Sequence, residues 1–261
     1  MIGSPMGVGW SQYAKLRLRK RFVYRARVRE LQIRVKVESL LELWRCQTYA
    51  SKEPETLDWI DSFAPADVLF DVGANIGLYS LYAAARGVSV FSFEPEAQNF
   101  ASLSFNLLQN GFANASCYCM ALADRERIGN LFVTSAAPGD SQHNLGAENP
   151  FYRRRYAGTQ GSFCTTLDRL CFELGLPVPN HVKLDVDGLE PEILAGAQQL
   201  FRHPAFKSLL VEVNAVDGKP ARTLEVAERA GLRIASSASR EYRDGRMWGR
   251  NFVMVPARDA A

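Results

Sequence analysis

The chain has 261 residues, 47% of them apolar and 23% charged, so it can build a sizeable core and is not a disordered polymer. Its net charge of +3 conceals an asymmetry: residues 1–50 hold eleven Lys and Arg against three Glu, a balance of +8, leaving 20 basic and 25 acidic residues, or −5, for the rest. No apolar run reaches the ~18 residues of a transmembrane helix, and the first twenty residues lack the apolar stretch of a secretory signal.

A cytoplasmic protein is therefore expected, in which basic residues 12–36 offer peripheral contact with the anionic inner face of a membrane. The chain divides into a basic N-terminal arm, residues 1–50, and a main domain, residues 51–261. Near the end of the arm, Leu31, Ile33, Val35 and Val37 alternate with polar neighbours, which predicts a strand. Pro54 opens a helix with Leu57, Ile60 and Ala64 on one face. DVLFDV (67–72) is an aliphatic strand. GLYSLYAAARG reads as a helix stopped by Gly87, and VSVFSFEP (88–95) as a second strand. EAQNFASLSFNLLQNG makes a helix with Phe100, Leu103 and Leu107 inward and Gly111 as terminator. ASCYCMALAD (115–124) is a third strand.

Three strand–helix alternations predict an α/β fold, a mostly parallel sheet with helices on both faces. Residues 125–164 break the rhythm: LFVTS suits a short strand, and the rest reads as a long polar loop of the kind that is functional or mobile. TTLDRLCFELG returns to helix, HVKLDVDG (181–188) is a fourth strand, and PEILAGAQQLF a helix with Pro191 in its first turn. SLLVEVN (208–214) is a fifth strand and TLEVAERAG a helix. LRIASSA and MWGRNFVMVP form an antiparallel closing pair. The five cysteines contain no CxxC pair and read as reduced, buried thiols.

The junction DVGANIGLYS (71–80) brings bare backbone up to a ligand. A dinucleotide fingerprint needs G-x-G-x-x-G, but Asn75 and Leu78 hold the second and third glycine places. A phosphate loop needs a lysine after its last glycine, and none follows Gly77. What remains is an acid, Asp71, a turn with Gly73 and Gly77, and Glu94 at the tip of the second strand. A carboxylate there can accept both hydroxyls of a ribose. S-adenosylmethionine fits this set, because it pairs a ribose with an amino-acid tail instead of phosphates. Gly73 and Gly77 would let backbone approach the tail, the following helix N-terminus would favour its carboxylate, and Asp71 its ammonium.

DVGANIGLYS, FEPEAQNFASLSFNLLQNG, TTLDRL, VKLDVDGLEPEILAGA and LLVEVN, in this order over residues 50–214, together resemble the FkbM-type methyltransferase family. The resemblance implies a Rossmann-like class I fold with a seven-stranded sheet. It also implies S-adenosylmethionine as cofactor and methyl transfer to hydroxyls of sugars, polysaccharide precursors or polyketide-type small molecules. It places Asp71, Gly73, Ala74, Asn75 and Gly77 in the cofactor loop, Glu94 on the ribose, and residues 121–124, with Ala121 and Asp124, beside the adenine.

Methyl transfer to an alcohol needs in-line placement and a base. Two acidic clusters end the fourth and fifth strands, and alternation puts Lys183, Asp185 and Asp187 on one side and Glu212 with Asn214 on one side. Asp185 is the expected centre of the site, as base or as contact to the cofactor's ammonium. Glu212 and Asn214 would shape the acceptor pocket. Lys183 is either catalytic or an internal ion-pair partner. His143, carried by a loop, is a rival base and acceptor contact, and Arg153–Arg154–Arg155 could meet an anionic acceptor. Asp185, Glu212 and Asn214 also offer oxygen ligands to Mg²⁺, ranked below metal-free transfer. A nucleic-acid methyltransferase draws support from the basic arm. It loses that support where an amino-group enzyme would carry [DNS]-P-P-[YFW] and this chain reads DVDG. A cofactor-binding protein without turnover, tethered by its arm, is the remaining alternative.

Overall fold

The computed structural model of the chain describes residues 22–146, 155–214, 219–241 and 247–257. Its first element is a hairpin of β1 (Phe22–Val28) and β2 (Leu31–Val37), turned at Arg29 with φ 53°. Ala26, Val28, Ile33 and Val35 are buried on its inner face, so the alternation expected for β2 holds and extends to β1. Helix α1 (Leu40–Lys52) follows, which sequence periodicity had left unassigned. Ser39 and Glu42 form a capping box: Ser39 Oγ accepts from Glu42 N at 2.9 Å, and Glu42 Oε2 accepts from Ser39 N at 3.1 Å. Glu42 is itself buried and accepts Ser102 Oγ at 2.6 Å.

Helix α2 (Pro54–Asp61) starts at the expected proline and buries Leu57 and Ile60, whereas Ala64 lies beyond it and is exposed. The expected division at residue 50 falls inside α1. The hairpin, α1 and α2 share one apolar core with the main sheet. Arginines of the arm are fastened to the body as well, Arg29 to Asp58 and Asp61 and Arg34 to the Gln109 carbonyl. Residues 12–21 of the basic segment lie outside the described residues.

Strands and helices then alternate: β3 (Val68–Val72), α3 (Leu78–Ala85), β4 (Ser89–Phe93), α4 (Ala97–Asn110) and β5 (Ala115–Tyr118). An insertion contributes β6 (Ala121–Leu122), β7 (Arg127–Val133), β8 (Asn144–Leu145) and β9 (Gly158–Thr165). The alternation resumes with α5 (Leu167–Phe172), β10 (His181–Leu184), α6 (Glu190–Ala195), α7 (Gln198–Arg202) and β11 (Ser208–Asn214). Helix α8 (Lys219–Arg229), β12 (Leu232–Glu241) and β13 (Met247–Pro256) close the fold. Seven strands pair in the order β12-β13-β11-β10-β3-β4-β5, with β13 antiparallel to both neighbours and the inner strands parallel. This is the expected Rossmann-like α/β sheet. Leu69, Val90 and Leu210 face the core under the hairpin and α1–α4; Phe70, Val72, Leu184 and Val211 face the core under α5–α8.

Four expectations change. The third strand splits, because the chain leaves the main sheet after Tyr118 and β6 pairs with β9. Residues 125–164 carry strand where a loop was read: β6-β9-β7-β8 form a second sheet, with β7 and β9 paired from Arg127↔Cys164 to Val133↔Gly158. Glycine and polar residues in these strands (Gly129, Asn130, Thr159, Gly161) blur the alternation. The fourth strand stops at Leu184, because Asp187 and Gly188 take φ of 59° and 117° and turn the chain. The helix read over 191–201 is two. Gly196 separates them and packs so closely on the Ala123 carbonyl that a Cβ would lie 2.4 Å from its oxygen. All five cysteines are free; Cys46, Cys164 and Cys171 are buried, but Cys119 is exposed and Cys117 half-buried. No helix among the described residues is long and apolar enough to cross a membrane.

Candidate functional site

The chain runs outward from β3 through β4 to β5 and then returns to lay β10 on the other side of β3. Such a switch point opens a crevice beyond the carboxyl ends of the strands. A cavity of about 320 Å³ lies there, walled by Gly73, Asn75, Glu94, Asp185, Asp187 and Glu212 among others. The loop after β3 is held by the Phe93 carbonyl, which accepts from Gly73 N at 2.9 Å and Ala74 N at 3.1 Å. Asn75 adopts the left-handed conformation at φ 52°. Backbone packing demands the first glycine, and the left-handed φ with a tight side-chain contact favours the second. At Gly73, φ +79°, a Cβ would lie 1.9 Å from the Asp185 carbonyl oxygen; at Gly77, φ +87°, it would lie 2.4 Å from Leu103 Cδ1.

Glu94 follows β4 and lines the cavity although it is buried. One of its oxygens accepts from Asn75 N at 2.8 Å and the other from Glu96 N at 2.9 Å. A carboxylate has about four acceptor sites, so this cavity-lining side chain keeps capacity for two hydroxyls. Burial pushes its pKa up to about 7 against these two hydrogen bonds. Met120, Ala121, Leu122, Leu145 and Ile193 supply apolar wall nearby, suited to a purine. The donor set and the cavity thus fit the nucleoside half of S-adenosylmethionine. Asp124 stands outside the cavity wall, where its carboxylate binds Arg127 at 2.7 Å and Arg125 at 3.0 Å.

Under the loop, strand register assembles a line of buried polar groups. Asp71 pairs with Ser92 on one side and Lys183 on the other, and Lys183 with Leu210, two residues before Glu212. Alternation turns Ser92, Asp71, Lys183 and Glu212 to the same face. Asp71 accepts Ser80 Oγ at 2.5 Å through Oδ2, while its Oδ1 is buried with no hydrogen-bond donor among the described residues. Burial raises the Asp71 pKa, with Lys183 opposing. Lys183 is 2% exposed, lies 3.1 Å from Asp185 Oδ2, and sits 5.0 Å over the Tyr79 ring. Burial works against its charge, yet Asp185, Asp71, Glu53 and Glu212 together hold its pKa above the ordinary lysine value. Lys183 is thus the internal ion-pair partner of Asp185. Asp187 does not join them: its Oδ2 accepts from Gln142 N at 2.7 Å.

A strap from the insertion, residues 134–145, covers the cavity. The Asp140 carbonyl accepts from Asn75 Nδ2 at 2.8 Å and Asn99 Nδ2 at 3.1 Å, and the Gly139 carbonyl from Arg45 Nε at 2.5 Å. The Pro138 carbonyl accepts from Ser39 Oγ at 2.6 Å. His143 lines the cavity, and its Nδ1 accepts from Thr134 N at 3.2 Å, which places the ring proton of the neutral imidazole on Nε2. Burial lowers its pKa, so it stays neutral near pH 7. For Asn214 only the backbone is described; it ends β11 opposite Gly249. Arg153 and Arg154 lie outside the described residues, and Arg155 is exposed.

Sequence reasoning missed Arg45, Lys52 and Asn99, which all line the cavity. The S-x-x-E capping signal at Ser39–Glu42 could have found α1 and with it the first two. Glu190 was also missed. It is buried below the 185–188 turn, accepts from Gly188 N at 3.2 Å and Val186 N at 3.3 Å, and is pushed up to about 7 by burial. Among the described residues no group of three or more His, Cys, Asp or Glu side chains is placed to hold a metal ion.

Residues 71–234 match the family described as the methyltransferase FkbM domain. The hexuronic acid methyltransferase AglP of Haloferax volcanii is 27% identical over 188 residues, covering 71% of this chain and 72% of that protein. The 31-O-demethyl-FK506 methyltransferase FkbM of Streptomyces tacrolimicus is 26% identical over 196 residues, covering 66% and 75%. Among solved structures, magnesium protoporphyrin IX methyltransferase from Synechocystis, with bound S-adenosylmethionine, superposes with a TM-score of 0.50 at 12% identity, covering 84% of this chain and 85% of that one. The tRNA (uracil-54, C5)-methyltransferase of Pyrococcus abyssi reaches 0.51 at 12% identity, covering 89% and 44%. These two likenesses concern the fold alone.

Proposed function

The chain belongs to the FkbM family of S-adenosylmethionine-dependent methyltransferases, and from that premise we propose that it methylates a hydroxyl oxygen of a sugar, a glycan precursor or a related small molecule. The observation that carries the reading is Glu94, a buried carboxylate that is fixed by two backbone N–H groups, keeps acceptor capacity and lines a cavity at the switch point. The printed names of the relatives support a hydroxyl-bearing small molecule: one is a hexuronic acid methyltransferase, the other acts on 31-O-demethyl-FK506.

In this reading Glu94 takes the ribose hydroxyls, Ala121 flanks the purine, and the peptide groups of Gly73, Ala74, Asn75 and Gly77 carry the amino-acid tail. Asp71 acts through Lys183, and Asp124 braces Arg127. When bound, S-adenosylmethionine supplies a methyl group on a sulfonium, open to in-line displacement. The residues around it must hold the acceptor oxygen in line and receive its proton. Asp185 is the base, oriented by the Lys183 ammonium. Glu212 and Asn214 shape the acceptor pocket, and His143 donates from Nε2 to an acceptor oxygen.

The test is transfer of tritiated methyl to glycolipids, nucleotide-sugars and RNA offered separately. Label in a sugar fraction that withstands mild alkali is expected, as for a methyl ether. Label confined to RNA, or to an alkali-labile ester, overturns the proposal.

A further inference from the structure

A second pocket, of about 60 Å³, adjoins the main cavity and shares Arg45, Lys52, Gly73, Asn75 and Asp185 with it. Its outer wall is α1. That helix is locked in place: its inward face buries Glu42, Cys46 and Tyr49, Glu42 holds Ser102, and Tyr49 packs edge-on against Tyr79 at 5.8 Å. The face left for a ligand carries Trp44, Arg45, Thr48 and Lys52.

We propose that α1 is the acceptor-recognition wall and that the acceptor is an anionic pyranoside, its ring stacked on Trp44 and its carboxylate or phosphate held by Arg45 with Lys52. The inference rests on the methyltransferase reading above and names the substrate class of the same site. Trp44 keeps 49% of its surface exposed at the pocket rim among the described residues, a large apolar surface open toward a ligand. The apolar C–H face of a pyranose matches such a surface. Glu94 does not border this pocket, so its occupant lies away from the ribose end.

Glu94, Asp185, Asp187 and Glu212 line the main cavity and Glu53 the second pocket, and Lys183 is engaged by the carboxylates around it, so an anion on the acceptor has to be met by the cations of α1. Arg45 and Lys52 are the basic residues of the main cavity's wall among the described residues. Arg45 is tethered through Nε to the Gly139 carbonyl, and its two Nη groups make no hydrogen bond among the described residues. That fork suits a carboxylate or phosphate oxygen pair. Lys52, two turns on, lies 3.3 Å from Glu53 Oε1 and shares its charge with that carboxylate, so Arg45 is the main anion contact and Lys52 its support.

The experiment uses the full chain and S-adenosylmethionine with four probes: an alkyl glucuronide, the matching neutral glucoside, a nucleoside diphosphate sugar and an RNA oligonucleotide. Wild type should prefer one of the anionic sugars over the neutral one by about tenfold in kcat/KM, and which anion wins identifies the source of the charge. Lys52→Gln and Arg45→Lys should each raise KM for that sugar several-fold and shrink the preference. Trp44→Ala should raise KM for charged and neutral sugars alike. Adenosylhomocysteine affinity should stay within about twofold in all three. Lost adenosylhomocysteine binding with unchanged acceptor KM means that α1 reads the cofactor, and overturns the proposal. So does equal use of charged and neutral sugars, turnover of RNA alone, or binding of adenosylhomocysteine by wild type with no sugar methylated. Failure of wild type to bind adenosylhomocysteine would instead condemn the methyltransferase reading itself.

Discussion

The two ends of the β3–β10 pair both bury charge, to opposite effect. Where the strands begin, the Asp67 carboxylate accepts Lys207 Nζ at 2.5 Å and Ala64 N at 3.0 Å and meets His181 Nε2 at 3.0 Å. His181 Nδ1 lies 2.7 Å from Ser208 Oγ, which also accepts Trp59 Nε1 at 2.9 Å, and Phe63 stacks on the imidazole at 3.6 Å. Each polar atom in that cluster has its partner, and neither cavity touches it. Where the strands end, Glu94, Asp185 and Glu212 line the main cavity and Lys183 the smaller pocket beside it, while Asp71 borders neither and its Oδ1 lacks a donor among the described residues. Burial of ionisable groups does not mark a site by itself. Hydrogen-bonding capacity left over beside open volume does.

Breaking the open end should cost activity and spare the fold. Asp185→Asn is expected to lower kcat by about 10²- to 10⁴-fold, with adenosylhomocysteine affinity nearly unchanged; collapse of that affinity instead would make Asp185 a cofactor contact. Breaking the closed end should do the reverse. His181→Ala is expected to cost about 3 kcal/mol in urea unfolding while kcat per folded molecule holds. Burial lowers the His181 pKa from 6.5 to about 4. Its contribution is therefore complete above pH 6.5 and lost as pH falls toward 4, so wild type should lose more stability across that window than His181→Ala.

Glu94→Gln should sharpen the contrast with a smaller effect, weakening adenosylhomocysteine by about 10- to 100-fold. Wild-type affinity should decline as pH drops through about 7, where Glu94 takes up a proton and loses acceptor capacity, whereas the glutamine variant should give a flat profile. A parallel decline in both proteins would remove Glu94 from the ribose contact.

The open end was the more legible of the two in the sequence, for a local reason. Asp71, Gly73 and Glu94 sit at strand tips and Gly77 caps the next helix, where glycine and acid interrupt aliphatic runs. The closing strands β12 and β13 and the fifth strand were readable in the same way, by period. Non-local placement was not. Only strand register sets Lys183 beside Asp71, and only tertiary packing brings α1 and the strap at Pro138–Asp140 against Asn75 and Asn99. The insertion hid its sheet because short strands with glycine and polar residues look like loop. The closed cluster of Asp67 and His181 left no trace, since its members are single residues at strand starts.

Calorimetric titration of the wild-type chain with adenosylhomocysteine and with NAD tests the central claim most directly. The account predicts saturable binding of adenosylhomocysteine at one site, weakened by Glu94→Gln, and none of NAD. Tight binding of NAD with adenosylhomocysteine ignored would contradict it.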